Sequence, residues 1–508
     1  MLIAIQKFSH YTEIKAKHNQ TKIQCLFKAN IKDKAMLSKI LIANRGEIAV
    51  RIIRACRDLH IQSVAIYSRA DRDSMHVKMA DESYEISDDP LRGYLDADLI
   101  VEAALKMGAD AIHPGYGFLS ENAAFARKVQ EAKLIWIGPN ADVITKMGDK
   151  NQARSIMQQN GIPIVPGTEP LNHLSMEKIA KIAQKIGYPV ILKASAGGGG
   201  RGIRVVTQEQ DLEENFNACK REAMAFFKND DVFMEKYISN PRHIEFQILA
   251  DNYGNVIHLM ERDCSIQRRH QKLIEIAPSP LISEDLRRRM GATAVAAAKA
   301  VHYTNAGTVE FLLDDYNRFY FMEMNTRIQV EHGITEEITG LDLIGRQIRI
   351  ASGEILDLTQ NDIRTQGYAI EARINAEDVN NDFVPNPGKV TTYYPALGPF
   401  VRVDSCIYKD YVIPPFYDSM VAKLIVRASS YDLAVNKLDR ALQEFTIRGV
   451  KTTIPFLRNI CEDKDFRRGD FDTSFLETKM DSLISEDSKN TDDMVVAIAA
   501  AIASRCGE

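Results

Sequence analysis

Residues 38–68 read SKILIANRGEIAVRIIRACRDLHIQSVAIYS, in which two apolar runs flank a stretch with helical spacing. Apolar residues recur there every three or four positions, at Ile48, Ile52, Ala55 and Leu59. The pattern predicts a strand over 39–43, a helix over 46–59 and a strand over 62–67. Similar units continue to residue 139, so we expect an α/β domain with a mostly parallel sheet. Because G-x-G-x-x-G is missing from this domain, a dinucleotide site is not favoured.

The composition is that of an ordinary folded protein. The chain has 508 residues, of which 45% are hydrophobic, and a formal net charge of -5 at pH 7. This length allows several domains, and the charge gives no support to a nucleic-acid partner. The longest apolar stretch near a terminus, 494–503, is about half of the roughly 20 residues needed to span a bilayer. We therefore expect no membrane partner.

The cysteines are dispersed, with no C-x-x-C pair and no Cys/His spacing suited to zinc. They are Cys25, Cys56, Cys219, Cys264, Cys406, Cys461 and Cys506. We interpret them as reduced thiols, Cys264 as a small core residue, and the protein as cytoplasmic.

The chain divides into five predicted segments. Residues 1–35 carry seven lysines and no arginine, and they show no βα pattern, so we interpret them as an N-terminal extension. The other segments are an N-terminal domain (36–149), a compact α+β lid with its preceding linker (150–237), a larger α+β domain (238–480), and a linker with a terminal helix (481–508).

A glycine-rich loop stands at the tip of the predicted lid. It reads KASAGGGGRG over 193–202, between predicted strands at 189–195 and 203–206, with a third predicted strand at 232–238. Consecutive glycines allow a backbone to approach a ligand closely or to close over it. Alone the loop does not distinguish phosphate binding from a flexible turn, since the G-K-[ST] ending of a P-loop is absent. Lys150, Lys193 and the MEKY stretch at 234–237 strengthen the prediction of a nucleotide pocket between two domains.

A predicted hairpin over 307–332, GTVEFLLDDYNRFYFMEMNTRIQVEH, carries candidate metal ligands. Glu323 and Asn325 lie two apart on its second strand and share a face, and a turn over 314–317 brings Glu310 alongside. Three oxygen ligands on one face of a sheet suit Mg²⁺, which accepts carboxylates together with nucleotide phosphates. A solvent-facing acidic edge is the alternative, but flanking aromatic residues favour burial and therefore a metal.

Two further groups of charged residues accompany the hairpin. Arg327, Gln329 and Glu331 follow at alternate positions and can face one site, where an arginine fork binds a planar oxyanion and a carboxylate acts as a base. In the basic stretch 261–272, alternation would send Arg268, His270 and Lys272 to one face, as suits an anionic phosphate. Arg373 lies between acidic neighbours, which we expect to hold it.

Many motifs together resemble the biotin carboxylases of biotin-dependent carboxylases, which have an ATP-grasp fold. The resemblance covers roughly residues 36–475, in order. The motifs are KILIANRGEIAVRI, HPGYGFLSEN, MGDK, KASAGGGGRG, EKY, PRHIEFQ, ERDCSIQRRHQK, EMNTRIQVEH, RINAED and PPFYDSM. So many long motifs in the same order are highly specific for this family.

The resemblance implies a role for individual residues. ATP would be bound by Lys150, Lys193, Gly198, Gly199, Gly200, Glu235, Lys236, Ile238, His243, Gln267 and His270. Mg²⁺ or Mn²⁺ would be bound by Glu310, Glu323 and Asn325, and bicarbonate by Arg327, Gln329 and Val330. Glu331 would be the base, and Lys272 and Arg373 would stabilise carboxyphosphate and the biotin enolate.

The implied reaction is ATP-dependent carboxylation of carrier-bound biotin by bicarbonate, through carboxyphosphate. The resemblance implies a homodimer. Because the chain has no biotin-accepting AMKM motif, we also expect it to work with a separate subunit bearing biotin and the carboxyltransferase. Its details are most similar to the ATP-binding subunit of two-subunit pyruvate carboxylases. A subunit of an acetyl- or propionyl-CoA carboxylase, an ATP-grasp ligase acting on a purine precursor and a catalytically silent scaffold are the alternatives.

Three positions depart from the family pattern, and the terminus adds a further prediction. Ile276, Gly333 and Tyr368 stand where a glutamate, a proline and a histidine are common, which makes local geometry there less predictable. Cap signals and helical spacing predict a helix over 492–505, and we expect it to dock on the partner subunit because a polar linker separates it from the core.

Overall fold

A computed structural model of the chain describes residues 37–194, 202–227 and 230–484. The extension 1–35, the glycines Gly198, Gly199 and Gly200, and the predicted helix at 492–505 lie outside these residues. Within them, no helix is both long enough and apolar enough to cross a membrane.

The N-terminal part contains a five-stranded parallel sheet. The strands are β1 (Lys39–Ile42), β2 (Gln62–Ser68), β3 (Glu82–Ser87), β4 (Ala111–His113) and β5 (Ile135–Trp136). Their order in the sheet is β3-β2-β1-β4-β5. The predicted βαβ unit is confirmed, with ends that differ by one residue. The strands are parallel because the chain returns through a helical crossover to the same end of the sheet before each new strand begins.

Helices cover this sheet and lead into the lid. They are α1 (Gly46–Asp58), α2 (Met75–Met79), α3 (Arg92–Leu95), α4 (Ala97–Lys106), α5 (Ala123–Glu131), α6 (Ala141–Gly148) and α7 (Lys150–Gln159), with a 3-10 turn at Arg69–Asp71. In α1, Ile48, Ile52 and Ala55 are buried, as their spacing predicts. The side chain of Asp149 accepts hydrogen bonds from the amides of Asn151 and Gln152, so Lys150 opens a capped helix.

The lid is an antiparallel sheet with helices on one face. The strands are β6 (Val190–Ala194), β7 (Ile203–Val206) and β8 (Val232–Lys236), and the helices are α8 (Met176–Ile186) and α9 (Leu212–Phe227), with a 3-10 turn at Glu209–Asp211. The strand order is β7-β6-β8. Val190, Leu192, Val206 and Met234 pack with residues of both helices in one cluster. All three predicted strands are found.

An antiparallel sheet of eight strands forms the centre. Its strands are β9 (Arg242–Ala250), β10 (Val256–Arg268), β11 (Gln271–Ala277), β12 (Asn305–Leu313), β13 (Phe319–Asn325), β14 (Tyr368–Asn375), β19 (Val401–Ser405) and β21 (Met420–Ala428). They lie in the order β13-β12-β9-β10-β11-β14-β21-β19. The short strands between and after them are β15 (Glu377–Asp378), β16 (Val384–Pro385), β17 (Gly388–Lys389), β18 (Thr392–Tyr394), β20 (Val412–Ile413) and β22 (Thr446–Arg448).

The remaining helices pack on the central sheet. They are α10 (Glu284–Ala300), α11 (His332–Thr339), α12 (Leu343–Ala351), α13 (Tyr431–Glu444), α14 (Ile454–Glu462), α15 (Lys464–Arg468) and α16 (Phe475–Leu483), with 3-10 turns at Gln360–Asp362 and Val379–Asn381. Burial of Ile244, Phe246 and Ile248 beside α10 covers one face of β9. The alternate residues of β9 therefore carry their polar side chains to the opposite face.

The predicted hairpin is present as β12 and β13. The carboxylate of Asp314 accepts hydrogen bonds from the amides of Tyr316 and Arg318, each at 2.9 Å, which closes the turn where the sequence predicts it. Glu310 and Glu323 are cross-strand partners in this hairpin. The hairpin thus places two carboxylates on one face at the edge of the central sheet.

Candidate active site

A cavity of about 1780 Å³ is lined by the N-terminal domain and the polar face of the central sheet. Arg45, Glu47 and Tyr116 contribute from the N-terminal side. The predicted site residues that line it are His243, Gln267, His270, Lys272, Glu310, Glu323, Asn325, Arg327, Gln329, Val330 and Arg373. Glu331 lies just behind this wall, fully buried.

The candidate metal ligands adjoin one another. The side-chain amide of Asn325 donates a 2.8 Å hydrogen bond to Glu310. His243 Nε2 lies 2.8 Å from the other oxygen of Glu310. Glu310 is 3% exposed, so its charge depends on these neighbours. Two carboxylates and an amide oxygen on one face form the hard donor set that Mg²⁺ prefers.

The two carboxylates have opposite electrostatic environments. Burial raises the pKa of Glu323, and the charge of Glu310 opposite raises it further. Burial would also raise the pKa of Glu310, but Lys272 and His243 lower it well below its usual range. The negative charge of Glu310 thus disfavours ionisation of Glu323, which faces it. A divalent cation between the two would stabilise both carboxylates in the ionised form, so these residues fit such an ion.

A second group of possible ligand atoms lies beside this pair. Among the described residues, the ligand atoms of His243, Glu245 and Glu310 lie within 4.8 Å of one another. Glu245, however, is fully buried and already paired with Arg262 and with Lys272. These two cations neutralise the charge of Glu245, so we exclude it as a metal ligand. Glu310 and Glu323 remain as the carboxylates of the candidate metal site.

Lys272 connects three carboxylates of the site. Its Nζ lies 2.6 Å from Glu245, 2.7 Å from Glu331 and 3.2 Å from Glu310. Burial would lower the pKa of Lys272, but Cys264 and these carboxylates raise it well above its usual value. The ammonium group is therefore charged, and it holds Glu310 and Glu331 toward the same point.

Glu331 is held between two cations. One of its oxygens lies 2.7 Å from Lys272 Nζ and the other 3.0 Å from Arg373 Nη2. Burial would raise its pKa, but Lys272 and Arg373 lower it well below the usual range of a carboxyl group. Glu331 is accordingly an ionised carboxylate in a buried site.

Arg373 links Glu331 to a further buried acid. Its Nε donates a 2.6 Å hydrogen bond to Glu275, which is 0% exposed. Burial raises the pKa of Glu275 to about 7 against the effect of Arg373. Acidic partners hold Arg373 as the sequence predicts, but they are Glu275 and Glu331 rather than its immediate neighbours in the chain.

The segment between β13 and α11 presents the predicted oxyanion residues. Arg327 Nη1 donates to Gln329 Oε1 at 2.7 Å, and Gln329 Nε2 donates to Glu310 Oε1 at 2.9 Å. Arg327 Nε also donates to Glu121 at 2.9 Å, a residue of the N-terminal domain that sequence reasoning missed. The segment is irregular rather than a strand, yet its side chains face one site.

Comparison with known proteins places this arrangement in a family. Residues 36–144 match the family model described as "Biotin carboxylase, N-terminal domain". Residues 149–359 match "Carbamoyl-phosphate synthase L chain, ATP binding domain", and residues 371–478 match "Biotin carboxylase C-terminal domain".

The chain is 54% identical to biotin carboxylase 1 of Bacillus subtilis, over 87% of this chain and 99% of that protein. The chain belongs to the biotin carboxylase family. It is also 51% identical to a pyruvate carboxylase subunit of Methanothermobacter thermautotrophicus, over 92% of this chain and 98% of that protein. The predicted family, ATP-grasp fold and ATP-dependent ligase class are confirmed.

A solved structure of a family member carries the expected ligands. It is the biotin carboxylase domain dimer of the Hydrogenobacter thermophilus 2-oxoglutarate carboxylase in complex with MgADP, ADP and bicarbonate. The TM-score is 0.81 at 53% identity, covering 89% of this chain and 99% of that one. Nucleotide, magnesium and bicarbonate are the ligands that the sequence predicts for this biotin carboxylase.

The predicted nucleotide-binding residues of this biotin carboxylase differ in whether they line the cavity. Lys193 lies 2.6 Å from Glu235, which also pairs with Arg154, and Lys236 donates to the carbonyl of Gly187 at 2.7 Å. In the part of the chain that the structure describes, these residues, Lys150 and Ile238 do not line the cavity, whereas His243, Gln267 and His270 do.

The basic stretch is not one extended strand as the sequence predicts. Arg269 and His270 form the turn between β10 and β11, with φ angles of 49° and 65°. The prediction that alternation places Arg268, His270 and Lys272 on one face of a strand is wrong, because the turn reverses the chain. Arg268 and Arg269 bond to Asp382, while Lys272 reaches the buried carboxylates. All three still line the cavity.

Sequence reasoning also missed a buried ion pair that supports the site. Glu245 and Arg262 form a fully buried ion pair on adjacent strands. The alternation of His243, Glu245 and Gln247 with apolar residues is a signal that could have found this polar face of β9. Cys264 is buried as predicted, but its sulfur lies 3.9 Å from Glu331, so it borders the site.

The three departures from the family pattern pack without disturbing the charged residues. Ile276 is fully buried in the core, and the ring of Tyr368 packs against Tyr431 with 6.1 Å between centroids. Gly333 lies in α11, where a Cβ would come 2.4 Å from the side-chain tip of Ile425. The glycine therefore allows α11 to pack closely on β21.

Arg262→Met tests the buried pair beneath the site. The substitution keeps an unbranched chain but leaves the Glu245 charge with Lys272 alone, so we expect a loss of stability of about 3–5 kcal/mol. Arg269→Met is the control, because Arg269 pairs with Asp382 where both side chains are at least 69% exposed, and we expect less than about 1 kcal/mol. Urea unfolding followed by circular dichroism measures both, and equal midpoints would contradict a supporting role for Arg262.

Proposed function

We propose that this chain is the biotin carboxylase subunit of a two-subunit pyruvate carboxylase. The similarity to the Methanothermobacter thermautotrophicus protein over nearly its whole length supports this proposal. The separate partner would carry biotin and the carboxyltransferase. A homodimer is supported by the dimer of the Hydrogenobacter thermophilus relative. The described cysteines are free thiols, which supports a cytoplasmic location.

The clamp of Glu331 between Lys272 and Arg373 is the observation that carries the proposed chemistry. Glu331 is ionised and can therefore accept a proton. Its ion pairs with Lys272 and Arg373 keep its basicity low until an anion enters the site. Bicarbonate bound by Arg327, Gln329 and the Val330 backbone would compete for these cations. Glu331 then becomes a stronger base at the point where the bicarbonate proton must be removed.

The remaining roles follow the order of the reaction. Deprotonated bicarbonate attacks the γ-phosphorus of ATP, ADP leaves, and carboxyphosphate forms. Carboxyphosphate breaks down to CO₂ and phosphate, and the phosphate accepts the ureido proton of biotin. Lys272 stabilises the carboxyphosphate, and Arg373 stabilises the enolate of biotin whose nitrogen attacks CO₂.

Nucleotide and metal would be held by adjoining residues of the cavity, since His243 lies 2.8 Å from Glu310. Glu310, Glu323 and Asn325 would hold Mg²⁺ or Mn²⁺, which supplies positive charge that neutralises the phosphates. His243, Gln267 and His270 already line the cavity, and closure of the lid would bring the remaining nucleotide residues to it. These are Lys150, Lys193, Gly198, Gly199, Gly200, Glu235, Lys236 and Ile238.

Glu331→Gln tests the proposed base. The amide keeps the shape of the side chain but cannot accept the proton, so biotin-dependent ADP release should fall by roughly 10²–10⁴-fold while the ATP concentration for half-maximal rate changes little. Glu131→Gln is the matched control, since Glu131 is exposed on α5. ADP release is measured with bicarbonate, with and without free biotin. The proposal would be contradicted if biotin did not stimulate ADP release by the wild type, or if Glu331→Gln released ADP as fast as the wild type.

The acceptor is tested on the complex isolated through a tag on this chain from its native cells. The complex is supplied with ATP and labelled bicarbonate together with pyruvate, 2-oxoglutarate, acetyl-CoA or propionyl-CoA. We expect acid-stable label to be fixed only with pyruvate. Fixation that depends on another acceptor would overturn the pyruvate assignment and leave the biotin carboxylase reaction in place.

A further inference from the structure

Lys423 is a buried cation to which the proposed reaction assigns no role. It lies in β21, is 0% exposed, and is the cross-strand partner of Arg373 on one side and of Asp404 on the other. Its Nζ donates a 2.6 Å hydrogen bond to the backbone carbonyl of Val330. Lys423 therefore contacts the backbone of the oxyanion segment, although it does not itself line the cavity.

The Val330 carbonyl lies at the centre of the residues that bind and deprotonate bicarbonate. Gln329 precedes it and Glu331 follows it, and within the described residues the segment has no strand partner that would fix its backbone. The next anchor on the chain is His332, whose ring Nδ1 lies 2.8 Å from the carbonyl of Gln329. The hydrogen bond from Lys423 thus fixes the peptide group between Val330 and Glu331, on which the position of both residues depends.

The surroundings of Lys423 keep it charged. Glu47 lies 3.3 Å from its Nζ and Asp404 lies 4.0 Å away. Burial would lower the pKa of Lys423, but Glu371, Glu47 and Asp404 raise it above its usual value. A charged donor makes a hydrogen bond roughly twice as strong as a neutral one. The ammonium group also places a positive charge one peptide group away from the proposed bicarbonate site.

Glu47 connects this cation to the wall of the cavity. It accepts a hydrogen bond from the hydroxyl of Tyr116, and both residues line the cavity. Burying an ammonium group with its counter-ions is costly compared with an apolar side chain of similar volume. Stability alone therefore does not account for a lysine at this position, whereas the need for a charged donor to Val330 does.

We infer that Lys423 is a positioning residue that fixes the Val330 peptide and, through it, the bicarbonate-binding segment. The inference rests on the proposed function, because it assigns bicarbonate to Arg327, Gln329 and Val330. Lys423 itself does not touch the substrate. Its loss should affect bicarbonate and leave the binding of ATP unchanged.

Lys423→Met is the direct test, measured as ADP release with free biotin while bicarbonate or ATP is varied. The variant lacks one charged hydrogen bond, so we expect the half-saturating bicarbonate concentration to rise roughly 10- to 100-fold. The half-saturating ATP concentration should stay within about twofold of wild type. Lys423→Gln, which keeps an amide donor, should fall between wild type and Lys423→Met, and it serves as the test if Lys423→Met does not fold.

Lys39→Met is the matched control. Lys39 also donates to a backbone carbonyl, that of Met107 at 3.0 Å, and pairs with Glu82 at 2.7 Å, but it lies in β1 away from the site. We expect wild-type bicarbonate dependence from this variant. Unchanged bicarbonate dependence in the folded Lys423 variants, or an equal rise for ATP, would overturn the inference. Absence of bicarbonate-dependent ADP release in the wild type would instead overturn the proposed function.

Discussion

The site depends on one constraint, which is that buried carboxylates must be paired with buried cations. Lys272 satisfies this constraint for three carboxylates at once, and Arg373 completes the pairing of Glu331. Removing charges from water is costly, so each member is stable there only while its partners stay in place. The same pairing that stabilises the cluster sets the ionisation of the groups that would act on bicarbonate.

The fold produces this cluster by aligning charged residues across neighbouring strands. Glu323, Glu310, Glu245 and Arg262 are successive cross-strand partners on β13, β12, β9 and β10. Farther along the sheet, Glu275 pairs in register with Glu371. Antiparallel register keeps such partners on one face, so the polar face is continuous from the metal ligands to Lys423. On β9, β12 and β13 the apolar residues between them pack against α10 on the other face, whereas those of β11, β14 and β21 pack with α13 and α14.

Local pattern is why much of the fold could be predicted from the sequence. The βαβ unit at 38–68 and the hairpin at 307–332 follow from apolar spacing and turn residues, and both are found. The turn at Arg269 and His270 was missed because no glycine, asparagine or proline marks it. The motifs could bring Glu310, Glu323 and Asn325 together because they belong to one hairpin. The pairs of Glu245 with Arg262 and of Arg327 with Glu121 depend on strand order and domain packing, which local pattern does not contain.

The central claim is that Lys272 and Arg373 hold Glu331 ionised in the free protein. Carboxyl ¹³C NMR of glutamate-labelled protein measures this directly, with the Glu331 signal identified as the one lost in Glu331→Gln. We predict an ionised chemical shift throughout a titration from pH 8 to about pH 5, because the pKa of Glu331 lies well below its usual value. A titration of this signal with a midpoint inside that range would contradict the claim.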